Sequence, residues 1–415
     1  MNITLDEKNA TLDSIREQEA ALLIQTYDRL PLLIERGEGV HLYDSNGRAY
    51  LDFLSGIGVN ALGYGHPRIG AAVAAHSGLI HVSNLFFHAY QAPLAARLTQ
   101  LSGLDRAFFC NSGTEAWECA IKLARATARE GKHRDSGARK KSRLLMMKNS
   151  FHGRTLGSLA TTGNAKYRAP FAPMLPGVTF VRFNDVEDLE AKFDSSVCAI
   201  GLETIQGEGG VHPVSRRFLE RTRELTRESG ALLLLDEIQC GLGRTGKMFA
   251  YQHYGIEPDI VTVAKPLAAG LPLGAVLAGN DVAAAFHPGM HGTTFGGGPL
   301  ACAVALAFLD EISQPGFLAD VATKGEYFRD RLLHLKTHHR SIRDVRAMGL
   351  MAAIELDSPA LAKSAVTRMM ERGFIINRTH DVVLRFLPPY IVEAEHIDRM
   401  VNALDEVLAG GTENA

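Results

Sequence analysis

Apolar and polar positions follow two different periods along the chain. From about residue 12 to 27, Leu12, Ile15, Ala20, Leu23 and Ile24 recur at roughly helical spacing, which predicts an amphipathic helix. In VHLYDSNGRAYLDF, two alternating apolar stretches flank Asn46-Gly47, a pair suited to a tight hairpin turn. From about 65 to 300, helix-like stretches separate short apolar runs: RAFFC, SRLLMMK, GVTFVRF, VCAIGLE, ALLLLDE, DIVTVAK and GAVLAG. Such strand–helix alternation predicts an α/β fold, with a mainly parallel sheet covered on both faces. Further on, the helical patterns ACAVALAFLDEI, FRDRLLHLK and AKSAVTRMMERG mix with the strands LMAAIEL and VVLRFLPP. That mixture predicts a smaller α+β domain, joined by the N-terminal hairpin. The expected division is 1–62 in the small domain, 63–304 in the large one and 305–415 in the small one again.

Composition narrows the class. The chain has 415 residues, 46% of them hydrophobic and 22% charged, so a large buried core is expected. Lys and Arg number 44 against 46 Asp and Glu, a net charge of −2. That balance gives no reason to expect nucleic acid or an anionic membrane as a partner. The basic run at 129–143 reads as a solvated loop. The five cysteines, Cys110, Cys119, Cys198, Cys240 and Cys302, are scattered and never form a C-x-x-C pair. They argue against a disulfide framework or structural zinc and fit a reducing cytoplasm. The polar N-terminal stretch lacks the basic start and apolar core of a signal peptide, and the longest apolar runs are only strand-length. His287 and His291 are separated by Pro288-Gly289, so they share no helical face, and no metal site is expected.

Three motifs carry candidate chemistry. Asn111-Ser112-Gly113-Thr114-Glu115 follows the strand RAFFC and opens a helix. Free N–H groups, hydroxyls and the positive helix end would converge there on a phosphate, although an ordinary capped helix shows the same pattern. Asp236 ends the apolar run ALLLL, at the sheet edge where α/β proteins gather ligands; it also fits a helix cap. Lys265 ends DIVTVAK at the same edge. Partly desolvated, such an amine can condense with an aldehyde; taken alone, it fits an exposed strand-end lysine better. Together the three meet the needs of pyridoxal 5'-phosphate: a lysine for its aldehyde, an acid for its ring nitrogen and a cradle for its phosphate.

With these residues in view, the sequence resembles the class III aminotransferases of the fold-type-I pyridoxal-phosphate superfamily, from about residue 27 to 405. The stretches that carry the resemblance include FFCNSGTEA, SFHGRTLGSLATTG, ETIQGEGGV, LLDEIQCGLGRTG, VAKPLAAGLPLGAV, HGTTFGG and VLRFLPP. Within the class, LDFLSGIGVNALGYGHP adds a likeness to acetylornithine aminotransferases. The resemblance implies roles. Ser112, Gly113 and Thr114 match the phosphate site, Phe151 the ring stacked on the cofactor, Asp236 the acid on the ring nitrogen and Gln239 the amide near the phenolic oxygen. Lys265 matches the lysine that holds the cofactor and shuttles the proton. Thr294 matches a threonine donated to the neighbouring subunit's phosphate, with Thr293 beside it near the substrate, which implies a homodimer with composite sites. Arg154 and Arg385 match carboxylate-binding arginines, and Glu208 matches a glutamate that neutralises the second of them. The implied reaction moves the distal amino group of N2-acetyl-L-ornithine to 2-oxoglutarate. Other ω-amines (ornithine, succinylornithine, 4-aminobutyrate) stand as alternative donors.

The sequence also departs from the family pattern. Trp117, the only tryptophan, stands where the family usually has Asn, and Thr204 where it has Pro. Ala268-Ala269 replace a glycine pair and Gly298 an Asn. A rival reading comes from Gly241-Leu242-Gly243-Arg244-Thr245-Gly246, which fits the dinucleotide fingerprint G-x-G-x-x-G. Four residues separate it from Asp236, and the following segment is short and broken by Gly255 and Pro258, which argues against a dinucleotide-dependent oxidoreductase.

Overall fold

The computed structural model describes residues 11–130 and 141–410. The seven apolar runs all become strands of one sheet, in the order Arg106–Cys110, Gly274–Ala278, Ile260–Val263, Leu232–Asp236, Val197–Glu203, Arg143–Met147 and Val178–Val181. Five neighbouring strands run parallel. Gly274–Ala278 runs antiparallel to both of its neighbours. Alternate residues face opposite sides of the sheet. Leu144, Met146 and Leu234 enter one apolar cluster with Trp117 and the helix Gly113–Glu130. Leu145, Met147, Leu233 and Leu235 enter the other, with Phe218 and Leu219 of the helix Arg216–Ser229. Every residue of Val197–Glu203 is buried, as a strand covered on both faces requires.

The N-terminal hairpin forms about Asn46-Gly47, pairing His41 with Leu51 and Tyr43 with Ala49. Asp44 Oδ1 accepts from the N–H groups of Asn46 and Arg48, both at 2.9 Å, and Gly47 takes φ +76°. Ala49–Asp52 pairs in parallel with Phe374–Ile375 from the far end of the chain. A third sheet runs Ile342–Met348, Met351–Leu356, Val383–Phe386, Asn377–Thr379 and carries Arg385 opposite Ala353 and Asn377. The long helix Phe317–His338 packs on it so closely that a Cβ on Gly325 would lie 2.4 Å from the Gly349 backbone.

Some expectations change. The N-terminal helix stops at Leu22 and fully buries none of its residues, with Leu12 and Ile15 only partly covered. The strands Ile342–Met348 and Asn377–Thr379 and the helix Ala394–Ala409 appear where the apolar pattern named no element. Most of the basic run at 129–143 lies outside the described residues. All five cysteines are buried free thiols. No single helix among the described residues is long and apolar enough to cross a membrane.

Candidate active site

The carboxyl edge of the seven-stranded sheet opens into a cavity of about 430 Å³. Ser112, Gly113, Thr114, Phe151, Arg154, Glu208, Asp236, Gln239 and Lys265 all line it. The reversed strand helps to build the wall. Gly274 pairs with Cys110 and Ala275 with Val263, so the chain leaves Lys265 and returns to the sheet at the same edge, and Gly270–Leu273 line the cavity on the way. Lys265 lies two residues beyond its strand and opens the 3-10 turn Lys265–Ala268.

At one end of the cavity, the helix Gly113–Glu130 begins. Ser112 Oγ accepts from the Glu115 N–H at 3.3 Å, as capping spacing predicts. The return contact is displaced by one residue, because Glu115 Oε2 accepts from the N–H of Asn111 at 2.6 Å rather than from that of Ser112. Thr114 Oγ1 lies 2.6 Å from Ser158 Oγ and 3.0 Å from Thr155 Oγ1, a cluster of hydroxyls beside the helix start. Gly113 leaves no space for a side chain, since a Cβ would lie 2.8 Å from Ile238 Cγ2.

At the other end, Asp236 is 4% exposed. Its Oδ1 accepts from the Ile238 N–H at 3.0 Å, and its Oδ2 lies 2.7 Å from His152 Nδ1. Sequence reasoning missed His152, whose only signal was its place after Phe151 in SFHGRT. It also missed Glu203, whose carboxylate accepts from the N–H groups of Phe151 (3.0 Å) and Gly207 (3.2 Å). Burial first, and then the neighbouring Asp236 charge, push the Glu203 carboxyl well above its usual range. Among the described residues, Lys265 Nζ makes no hydrogen bond or ion pair. Desolvation, with Arg385 adding to it, lowers its pKa against the opposing pull of Glu208, Asp236 and Glu203. A lowered lysine is a better nucleophile at neutral pH.

Arg385 is fully buried. Its Nη1 donates to Glu208 Oε1 at 2.6 Å and to Gln239 Oε1 at 3.1 Å, and its Nε donates to Asn377 Oδ1 at 3.3 Å. Burial raises the Glu208 carboxyl, but the Arg385 charge and hydrogen bond, with Lys265 behind them, hold it below its usual range. Arg154 is exposed and lies over the Tyr167 ring at 4.0 Å and farther from the Phe151 ring, at 5.6 Å. Thr293 is held near the helix start, its Oγ1 accepting from Asn111 Nδ2 at 3.1 Å. Thr294 is exposed, and neither threonine is among the residues lining this chain's own cavity.

The residues present suit pyridoxal phosphate. A free amine, a buried acid and a helix start with clustered hydroxyls face one cavity, and the acid already accepts hydrogen bonds on both oxygens without being neutralised by a lysine or arginine. The dinucleotide reading finds no such support: Gly241–Gly246 forms turns leading into the single 3-10 turn Ala250–His253. There Arg244 is buried, donating to the carbonyls of Leu350 and Pro388.

The aminotransferase class-III family model matches residues 23–408. An acetylornithine aminotransferase from Methanocaldococcus jannaschii is 47% identical over 385 residues, covering 92% of this chain and 95% of that protein. The ornithine aminotransferase from Toxoplasma gondii has a TM-score of 0.93 at 33% identity, covering 99% of this chain and 97% of that one. A second structure of that enzyme, with a TM-score of 0.92 at 32% identity over 99% and 98%, has pyridoxal phosphate at partial occupancy in its active site. The chain therefore belongs to the class III aminotransferases, pyridoxal-phosphate-dependent transaminases that pass an amino group from a small-molecule donor to a keto acid.

Proposed function

We propose that the enzyme moves the distal amino group of N2-acetyl-L-ornithine to 2-oxoglutarate, giving N-acetyl-L-glutamate 5-semialdehyde and L-glutamate, a step of arginine biosynthesis. The observation that carries this reading is the 2.6 Å pair between the fully buried Arg385, which does not itself line the cavity, and Glu208, which does. Glutamate has a carboxylate beside its reacting amine, whereas N-acetylornithine has one only at its far end. A pocket serving both needs a cation for the first that can be covered for the second. Arg385 supplies the cation and Glu208 the cover. Arg154, at the exposed side, binds the far carboxylate of either substrate.

Pyridoxal phosphate, when bound, supplies an aldehyde that takes up the amine and a ring that absorbs the electrons released from the substrate carbon. Ser112, Gly113 and Thr114 would hold its phosphate, Phe151 would flank its ring, Gln239 would face its phenolic oxygen and Asp236 would keep its ring nitrogen protonated. Lys265 would bind it covalently, and its freed Nζ would carry the proton away from and back to the reacting carbons. Thr294 would act on the phosphate of a second subunit, with Thr293 beside the substrate, so the working form is a homodimer. The exposed Thr294 and the exposed side chains of Phe86, Phe87 and Phe295 support that assembly. We further propose a small domain from 1–62 and 305–415 around a large domain of 63–304, supported by the pairing of Leu51 with Phe374, and a cytoplasmic location. A panel of N-acetylornithine, ornithine, succinylornithine and 4-aminobutyrate against 2-oxoglutarate, ranked by kcat/KM, tests the donor. Ornithine ranking first would replace the reading with that of the Toxoplasma gondii enzyme's name.

A further inference from the structure

Trp117 is the only tryptophan of the chain, and it is completely buried behind the site. Its indole is held on three sides. Nε1 donates to Thr161 Oγ1 at 2.8 Å, and that hydroxyl donates onward to the Ser158 carbonyl, also at 2.8 Å. The far edge is enclosed by the sheet at Gly201, where a Cβ would lie 3.0 Å from Trp117 Cη2 and 2.7 Å from Met146 Sδ. One face lies flat on the His152 imidazole, with ring centroids 4.0 Å apart and planes 7° from parallel.

Besides this stacking, the His152 ring makes one polar contact. Its side chain is fully buried, Nδ1 lies 2.7 Å from Asp236 Oδ2, and Nε2 has no hydrogen-bond partner. A carboxylate only accepts, so Nδ1 carries the proton. Without the indole, the imidazole could tilt about its Cβ–Cγ bond and let Oδ2 lose its donor. With a flat ring 4.0 Å away, that tilt meets a wall. The other ionisable groups that feel the Asp236 charge are Glu203, Glu237, Cys240 and Lys265.

We propose that Trp117 is a positioning residue that acts through His152, holding Nδ1 against Asp236 so that the carboxylate keeps a fixed orientation toward the cofactor's ring nitrogen. The inference rests on the reading of Asp236 as the acid for that nitrogen. It differs from a space-filling role, which any apolar side chain of similar volume would perform.

The test uses W117F, W117L, H152Q, W117L/H152Q and D236N. Pyridoxal phosphate is titrated into each apo-protein to give its Kd, and the visible absorbance of each bound form is followed against pH. Removing a group that orients a ligand's partner typically weakens binding about ten-fold or more. W117L is therefore expected to bind about ten-fold more weakly, with a displaced absorbance–pH profile. W117F, which keeps an aromatic face, should stay within about two-fold of wild type. W117L/H152Q should be no worse than H152Q, since the tryptophan has nothing left to act through. Where W117L does not accumulate as folded protein, W117M takes its place with the same expectations. Wild-type affinity and profile in the folded leucine or methionine variant overturn the proposal, as do losses that multiply in the double variant. A D236N protein with the wild-type profile sinks the Asp236 reading, and the proposal with it. Multiplied losses alongside an altered D236N sink the proposal alone.

Discussion

Replacing Glu208 with alanine removes the partly exposed carboxylate that pairs with a buried guanidinium and should divide the two half-reactions. In the resting pocket, Arg385 Nη1 has a charge-assisted bond to Glu208 at 2.6 Å and a neutral one to Gln239 at 3.1 Å, while Nε reaches Asn377 at 3.3 Å. Truncating Glu208 leaves a fully buried guanidinium with two neutral acceptors. Breaking such a pair outright costs about 3–5 kcal/mol. The amides of Gln239 and Asn377 remain, so about 1–3 kcal/mol is the expected loss, roughly 5- to 150-fold in rate. That loss falls on the N-acetylornithine half, where no substrate carboxylate reaches Arg385. On the proposed reading, the α-carboxylate of glutamate replaces Glu208 on the arginine in the other half, so removing Glu208 also removes a competitor, and the rate should hold or rise. Stopped-flow single-turnover spectra with N-acetylornithine, and separately with glutamate, measure both halves on the same protein. Equal losses in the two halves would falsify the switch while leaving the aminotransferase family intact.

Arg385→Ala should show the opposite bias, with the larger loss in the glutamate half, and Arg154→Ala should damage both halves; the same spectra measure these. Thr294→Ala subunits mixed with Lys265→Ala subunits should regain activity by forming one intact site per hybrid dimer, and a mixture no more active than its components contradicts the shared site. Gly325→Ala would put a methyl group 2.4 Å from the Gly349 backbone, so thermal denaturation should show a lower Tm, corresponding to about 1–3 kcal/mol. Burial raises Glu237 to about 7, so the folded state holds a proton that the unfolded chain releases near its ordinary value of 4.5. Stability should therefore fall as pH rises between those values, and the advantage of wild type over Glu237→Gln in Tm should shrink across that window; a gap independent of pH refutes the assignment.

The large sheet was legible because its inner strands are buried on both faces and read as dense apolar runs, as VCAIGLE and ALLLL do. Asn46-Gly47 named its hairpin through local turn chemistry between two alternating apolar stretches. The strand Asn377–Thr379 was not legible, because its three residues are polar and its partner Val383–Phe386 supplies the pairing. Most of the family-matched residues that the structure gathers in one cavity came from the resemblance, since Phe151, Arg154, Glu208 and Gln239 lie apart in sequence with no shared period. His152 was missed because a lone histidine after an aromatic residue carries no pattern. Only the folded sheet brings it to Asp236, 84 residues away.

The site also draws on two separate frameworks. Asp236, Lys265 and the Ser112 turn are anchored at one edge of the seven-stranded sheet, whereas Arg385 belongs to the sheet of Met351–Leu356 and Asn377–Thr379. Near the reaction centre, Arg385 meets Glu208 and Gln239 through side chains alone. On the proposed reading, a designer seeking a new keto-acid partner can thus rework Asn377, Thr379 and Arg385 without touching the ladder that anchors the lysine. If Arg385 selects the substrate as proposed, the same division lets mutations in the outer sheet alter what the enzyme accepts while Lys265 and Asp236 keep their places on the large sheet.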